Sequence, residues 1–410
     1  MMDSIVMEQT TEQSFFTRAH DADDGSLSLN SSLIRHSLPK EQVRFWVYKV
    51  GYTSVITAGL LGNSLNLAVM WRSSRLATLS YFFLRWLAVA DFFVVAVILV
   101  FNLVKTKAVH RSYAVMWYYA HLNFFLMRSL ACSGAFIVTA FTVSRYVSIC
   151  HPTRCKSVGV VTSRGVYRAT TASAFVFSAL LHVPHLFETR VVAVVGDDVG
   201  RRNDSTIVEY DWEWNDAVQR LAFFSHVYPP VKEVLSKLLP IVLVLVFNLL
   251  IIQAHGRYVR KRRSLRTGSY SEVVPTTTKA TKATTAARRR RAREEGRLMA
   301  LLLSASGIFF VCTLPQAFVT VLLRACPSLY ETSVAFFVFV HVANLVESLH
   351  FAINFYVYSL ASADFRQSFR EVFAPPCWAD KWGKQGDGPQ SGASFAASAR
   401  QTSTRKIPAA

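Results

Sequence analysis

LRWLAVADFFVVAVILVFNLV, residues 84–104, is an almost unbroken apolar stretch. At 1.5 Å per residue, about 20 helical residues cross the roughly 30 Å hydrocarbon core of a bilayer. Six further stretches of similar character lie before and after it, and the seven cover approximately residues 45–70, 81–104, 117–149, 169–187, 234–253, 297–323 and 334–360. The sequence therefore predicts an all-α membrane protein built as a bundle of seven transmembrane helices.

The composition agrees with this interpretation. Of the 410 residues, 52% are hydrophobic and 17% are charged, against about 25% charged in an average soluble protein. Such a chain is too apolar to be disordered, and six cysteines are too few for a disulfide scaffold. A large soluble protein is the alternative, but seven stretches of spanning length are hard to bury without lipid.

Positive charge is concentrated on one side of the predicted bundle. Basic residues follow the first, third and fifth stretches, at Arg72 and Arg75, at Arg154, Lys156, Arg164 and Arg168, and throughout 257–266 and 288–297. Because such residues favour the cytoplasm, we expect an extracellular N-terminus and a cytoplasmic C-terminus at the plasma membrane. The net charge of +19 then needs no nucleic acid as partner, and anionic membrane lipid is the expected one.

The predicted topology divides the chain into regions. Residues 1–44 form an extracellular tail, 45–373 the membrane domain, 256–296 a disordered basic cytoplasmic loop within it, and 374–410 a disordered cytoplasmic tail. Asn30 and Asn203 begin N-x-S/T motifs on the outer side and are candidate glycosylation sites. The first 40 residues lack the apolar core of a signal peptide, so we expect no cleavable signal.

A short amphipathic helix is predicted directly after the seventh stretch. Phe365, Phe369 and Phe373 recur every four residues, which favours a helix lying on the inner membrane surface. Cys377 follows closely and is a candidate for palmitoylation, although a plain cytosolic thiol is an equal alternative.

Six short motifs occur in order within these stretches. They are Gly62-Asn63, Leu87-Ala88-Val89-Ala90-Asp91, Ser144-Arg145-Tyr146 with His151-Pro152, Pro240, Phe309 with Cys312-Thr313-Leu314-Pro315, and Asn354-Phe355-Tyr356-Val357-Tyr358. Over residues 45–373 the chain thereby resembles the rhodopsin-like (class A) G-protein-coupled receptors. Among them it most resembles invertebrate neuropeptide receptors of the FMRFamide type.

The resemblance implies roles for the motif residues. The activation switch would comprise Ser144, Arg145, Tyr146, Glu295, Asn354 and Tyr358; the core polar network Asn63, Asp91 and Asn354; and the helix hinges Pro240, Phe309, Cys312 and Pro315. Polar groups at lipid depth should face the bundle interior, where simple interhelical hydrogen bonding is the alternative role. The resemblance also implies a heterotrimeric G protein as partner, activated when the sixth helix moves outward.

Several positions depart from the family pattern. Ser144 stands in place of an acid, Thr313 in place of a tryptophan and Phe355 in place of a proline. The disulfide that the resemblance implies is absent, because Ala120 occupies one position and residues 188–226 contain no cysteine. We expect the second outer loop to be less tethered unless it forms its own hairpin. Because Ser144 and Thr313 alter motif positions, a diverged receptor that no longer signals is an alternative function.

The resemblance also narrows the ligand class. Met127 replaces the aspartate of amine receptors and Ser348 the retinal-binding lysine of opsins, which argues against a monoamine ligand and against a photoreceptor. The resemblance to neuropeptide receptors implies a peptide ligand. The pocket candidates are Met127, Arg128, Gln316, His341, Asn344 and Glu347. Glu347 is expected either to bind a basic group of a peptide or to pair within the protein with Arg128 or His350.

Two other functions receive less support. A secondary transporter is expected to show internal repeats, and none relates the first three stretches to the last three. A membrane hydrolase needs clustered His, Asp or Cys residues, whereas the histidines here are scattered. We therefore expect no enzymatic activity, no cofactor and no bound metal.

Overall fold

A computed structural model describes residues 40–74, 76, 81–151, 163–195, 208–267 and 279–373, with the backbone alone at 195, 255, 258–267, 279–295 and 297–300. Seven helices in this part of the chain are long and apolar enough to cross a membrane, which confirms the predicted fold. With the final short helix they are α1 (Thr53–Arg72), α2 (Phe82–Lys105), α3 (Phe124–Cys150), α4 (Arg164–His182), α5 (Leu239–Thr267), α6 (Lys279–Ala325), α7 (Val334–Ala361) and α8 (Ala363–Phe373).

Short helical turns extend several of these helices. A π-helical turn, Phe45–Tyr52, precedes α1; Tyr113–Trp117 and the π-helical Tyr118–Asn123 precede α3; Val183–Leu186 follows α4; and Ser328–Thr332 separates α6 from α7. Asp216–Gln219, Phe223–Val227, Tyr228–Glu233 and Val234–Leu238 lead into α5.

The fifth span begins earlier than the sequence predicted. The continuous helical run starts at Phe223 rather than near Val234. Charged residues at 232, 233 and 237 lower the local hydropathy and hide this part of the helix. Two of its turns are π-helical, and the second ends just before Pro240, whose ring nitrogen has no hydrogen to donate.

Local signals fix several helix ends. The hydroxyl oxygens of Ser163 and Ser333 accept hydrogen bonds from the amides of Val166 and Phe336, which caps the starts of α4 and α7. Lys107 has a φ of +54°, the left-handed conformation that commonly ends a helix, and it closes α2.

Two antiparallel strands form a hairpin between α4 and α5. Strand β1 (Thr189–Val195) pairs with β2 (Val208–Trp214), in a register that sets Thr189 opposite Trp214. We call the end of the bundle that carries these strands the hairpin end, and we call the opposite end the α8 end. The sequence predicted that this loop would be less tethered unless it formed its own hairpin, and the hairpin is present.

Helices α1 and α7 approach each other closely. A Cβ atom at Gly62 would lie 3.2 Å from Cβ of Phe355, which is tighter than ordinary packing. A glycine is therefore suited to this position, as small residues are at many helix contacts in membranes.

The predicted amphipathic helix is present as α8. Phe365 is 1% exposed and packs against Phe355 and Tyr358 of α7. The hydroxyl of Ser73, just after α1, donates to that of Ser368 at 2.8 Å. Helix α8 therefore packs against α7 and against the end of α1.

The ends of the basic loop predicted over 256–296 extend the adjoining helices. Helix α5 continues to Thr267 and α6 begins at Lys279, while residues 268–278 lie outside the described part. Ala, Lys, Arg and Glu predominate in 279–297 and have high helix propensity, which explains the extension of α6 beyond its apolar portion.

Candidate functional site

A cluster of charged side chains lies inside the bundle toward the hairpin end. It consists of Arg128 on α3, Lys232, Glu233 and Lys237 on the turns leading into α5, and Glu347 on α7. None of the five is more than 16% exposed. Buried charges within transmembrane helices are costly and commonly mark functional sites. We call these five residues the ion cluster.

Lys237 holds the ion cluster together. Its Nζ atom lies 3.4 Å from Oε1 of Glu347 and 3.7 Å from Oε2 of Glu233, while Nζ of Lys232 lies 3.7 Å from Oε1 of Glu233. Arg128 adds electrostatic attraction to both carboxylates. Glu347 therefore pairs with Lys237, which the sequence had not suggested, and Arg128, which it had suggested, adds to the attraction.

Sequence analysis missed three members of this cluster. Lys232, Glu233 and Lys237 were not recognised because the fifth span was placed after most of them. Their spacing offered a signal, since a Glu at 233 and a Lys at 237 are four residues apart and share one helix face.

The remaining pocket candidates are buried near the same end. His341 is 2% exposed, and its ring lies 4.2 Å from that of Phe337 and stacks on Tyr330 at 6.2 Å. Gln316 is fully buried, and its side-chain amide makes no hydrogen bond with the described residues. Met127 and Asn344 are also buried. The candidates thus line a polar interior with an aromatic wall.

Buried hydrogen bonds link three helices at mid-membrane. Nδ2 of Asn354 donates to Oδ2 of Asp91 at 2.5 Å, and Nδ2 of Asn63 donates to the carbonyl of Phe351 at 2.8 Å. All three polar side chains are at most 1% exposed. The predicted core polar residues therefore join α1 and α2 to α7.

Phe309, one of the predicted hinge residues, contacts three other helices. Its side chain packs with Ala135 of α3 and Ile241 of α5, and its ring lies 5.4 Å from His350 of α7. Ile241 follows Pro240 directly. Pro315 lies inside α6, where it removes a backbone hydrogen bond and permits bending; Cys312, between them, is a buried free thiol.

At the α8 end, the switch candidates contact several helices. Oγ of Ser144 lies 2.8 Å from the hydroxyl of Tyr167 on α4. The guanidinium of Arg145 lies 5.5 Å from the ring centre of Phe141, and the ring of Tyr146 lies 5.1 Å from that of Phe247 on α5. Tyr358 is 1% exposed and packs on Phe365.

Comparison with known proteins decides the family. The model of the rhodopsin family of seven-transmembrane receptors matches residues 62–349, more than half of the chain. The chain belongs to this family. It is therefore a G-protein-coupled receptor, a signalling receptor with multiple membrane spans.

Individual relatives of the receptor include several named for peptides. A Caenorhabditis elegans protein named probable G-protein coupled receptor AH9.1 is 24% identical over 78% of this chain and 73% of its own. Neuromedin-U receptor 1 of Rattus norvegicus is 25% identical over 87% of this chain and 80% of its own. Neurotensin receptor type 1 of the same species is 26% identical over 80% and 75%.

The hairpin of the receptor is tethered without a disulfide in the described part. Trp212 of β2 is 4% exposed and packs against Tyr119 and Phe124 at the start of α3. Nη1 of Arg111 lies 2.9 Å from Oδ2 of Asp211. Aromatic packing and an ion pair therefore hold the hairpin, which is the exception that the sequence allowed to a weakly tethered loop.

The structure does not describe the side chains of four predicted site residues. Asn30, Asn203 and Cys377 lie outside the described residues, and Glu295 is described by its backbone in α6 alone. Glycosylation, palmitoylation and the role of Glu295 in the activation switch stay predictions.

Proposed function

We propose that this receptor binds a neuropeptide at its hairpin end and activates a heterotrimeric G protein at its α8 end. The observation that carries the proposal is the buried ion cluster, which is joined through α3, α5 and α7 to the residues around Phe309. Ligand binding that rearranges the cluster would bias the equilibrium between two bundle conformations.

The chemistry of the predicted pocket residues supports a peptide ligand. It combines cations, carboxylates, the amide of Gln316 and an aromatic wall at His341, which together match the charged, amide and apolar groups of a peptide. The peptides in the names of two relatives, neuromedin U and neurotensin, belong to the same class. The narrower FMRFamide-type assignment rests on sequence resemblance.

The contacts at the α8 end support signalling. Arg145 and Tyr358 lie where α3 and α7 end, and Pro315 supplies a hinge in α6 between that end and the pocket. Outward bending of α6 at the α8 end would open a cavity for the G protein. In this proposal Arg145 contacts the G protein and Tyr358 stabilises the open form.

The membrane orientation is part of the proposal. Basic residues around the loop between α5 and α6 favour a cytoplasmic α8 end, and therefore an extracellular N-terminus, at the plasma membrane. Anionic lipid of the inner leaflet would contact the same basic residues.

A neuropeptide library screened on cells that express the receptor with a promiscuous G protein tests this function. We expect at least one peptide to raise signalling, and Arg145→Ala to abolish the response at unchanged surface expression. Arg168→Ala is the matched control, since Arg168 is exposed on α4. Epitopes at both termini of intact cells test the orientation, and an accessible C-terminus would contradict it.

Silence of the surface-expressed receptor toward every peptide would instead favour a diverged receptor without signalling activity. The feature behind this second candidate is Ser144, which bonds to Tyr167 instead of supplying an acid beside Arg145.

A further inference from the structure

Lys232 is a buried cation with little local compensation. Its side chain is 7% exposed, and Nζ lies 5.6 Å from the ring centre of Tyr228. Its ion-pair contact is Oε1 of Glu233 at 3.7 Å, beyond hydrogen-bonding distance. Glu233 is shared, because Oε2 of the same carboxylate lies at the same distance, 3.7 Å, from Nζ of Lys237.

The acidic side chains near Lys232 also interact with other basic residues. Glu347 and Glu233 share Lys237, and Arg128 attracts both. Glu188, the third buried acid of this region, lies 2.6 Å from Nδ1 of His185. Among the described residues, Lys232 thus shares its carboxylate contact with Lys237 and makes no hydrogen bond. Buried charges are normally paired and hydrogen-bonded, so a further acceptor is expected.

We infer that Lys232 binds a carboxylate of the ligand, so that the receptor selects peptides with an acidic group. Arg128 would strengthen the attraction. A basic ligand group placed at Lys232 would be repelled by its ammonium group. The inference rests on the proposed peptide-binding function. The carboxylate can belong to an Asp or Glu side chain or to the C-terminus of the peptide, and the experiment separates these sources.

Binding is measured on purified receptor as the ligand-induced rise in melting temperature, which needs no G protein. Four pools of short synthetic peptides differ only in Glu against Gln and in free carboxylate against carboxamide at the C-terminus. We expect the wild type to prefer one or both acidic groups over the neutral pool. Lys232→Met should weaken acidic binding by roughly 30-fold or more and leave neutral peptides unaffected. Lys232→Arg should restore the preference.

Controls separate recognition from folding. Without ligand, Lys232→Met should keep or raise the melting temperature because it removes a poorly compensated charge. Lys237→Met, which strips Glu347 of its partner, should lower it. Lys49→Met, at an exposed position on the turn before α1, should change neither property.

Each outcome decides the matter. Any of three results would overturn the inference. The wild type shows no preference for acidic peptides, Lys232→Met weakens binding of all four pools equally, or Lys232→Met lowers the melting temperature as much as Lys237→Met does. A receptor that binds acidic peptides through Lys232 and activates no G protein would refute the proposed signalling function and leave this inference standing.

Discussion

The hydroxyl of Thr189 donates a hydrogen bond to the backbone carbonyl of Ala120 at 2.9 Å. This contact joins β1 to the turn before α3, at the position where the family resemblance implies a disulfide. The four cysteines that the structure describes are free thiols. A polar contact thus occupies the place of the covalent link.

Reducing agents should therefore leave the receptor intact. Removal of a native disulfide costs a small secreted domain about 2–5 kcal/mol, whereas no such loss is expected here. Melting of purified receptor in millimolar dithiothreitol should match melting without it. A marked fall in the melting temperature would show a disulfide formed by cysteines outside the described residues.

Trp212 should be the main anchor of the hairpin. Trp212→Ala removes a buried ring from contact with Tyr119 and Phe124, and truncations of this kind cost about 3–5 kcal/mol. We expect a lower melting temperature and faster proteolysis within the hairpin. Trp212→Phe keeps a ring at this position and should lose less. Equal behaviour of the two variants would argue against aromatic anchoring.

The hydrogen bond between Asn354 and Asp91 should be restored when the two residues are exchanged. Asp91→Asn alone leaves two amides with a weaker hydrogen bond, and Asn354→Asp alone places two carboxyl groups together, so each change should cost about 1–2 kcal/mol. The double exchange restores one amide and one carboxylate. A double-mutant cycle on unfolding should therefore give favourable coupling, and additive losses would show that the two residues act independently.

Ser144 should weaken the resting state. Ser144→Asp places a carboxylate beside Arg145, and a partly exposed ion pair is worth about 0.5–1 kcal/mol. If this pair forms in the resting state alone, ligand-independent signalling should fall about two- to fivefold. Ser144→Asn, which disturbs the Tyr167 contact without adding charge, should not reduce it. A similar fall in both variants would assign the effect to the lost contact with Tyr167.

The fold was predictable because lipid imposes a simple rule on sequence. Spans such as 84–104 must be apolar over a fixed length, and Phe365, Phe369 and Phe373 mark α8 by their spacing. The same rule concealed the start of the fifth span, where buried charges compensate one another through contacts that no hydropathy window can detect.

Pairings across the bundle were harder to predict from sequence. Asp91 and Asn354 were placed in one network through their motifs, and they are hydrogen-bonded. Lys237 carries no motif, and its pairing with Glu347 depends on how α5 and α7 are rotated. The tether of the hairpin likewise depends on tertiary packing, since neither Trp212 nor Thr189 is distinguished in the sequence.

Nucleotide exchange on a purified heterotrimeric G protein tests the central claim most directly. Receptor reconstituted in lipid vesicles is mixed with the G protein and with a peptide that raises the receptor's melting temperature, and binding of a non-hydrolysable GTP analogue is followed. We predict that the peptide accelerates exchange with wild type and with Arg168→Ala, and that Arg145→Ala abolishes the acceleration. Exchange that does not respond to a bound peptide, or that persists unchanged in Arg145→Ala, would contradict the account.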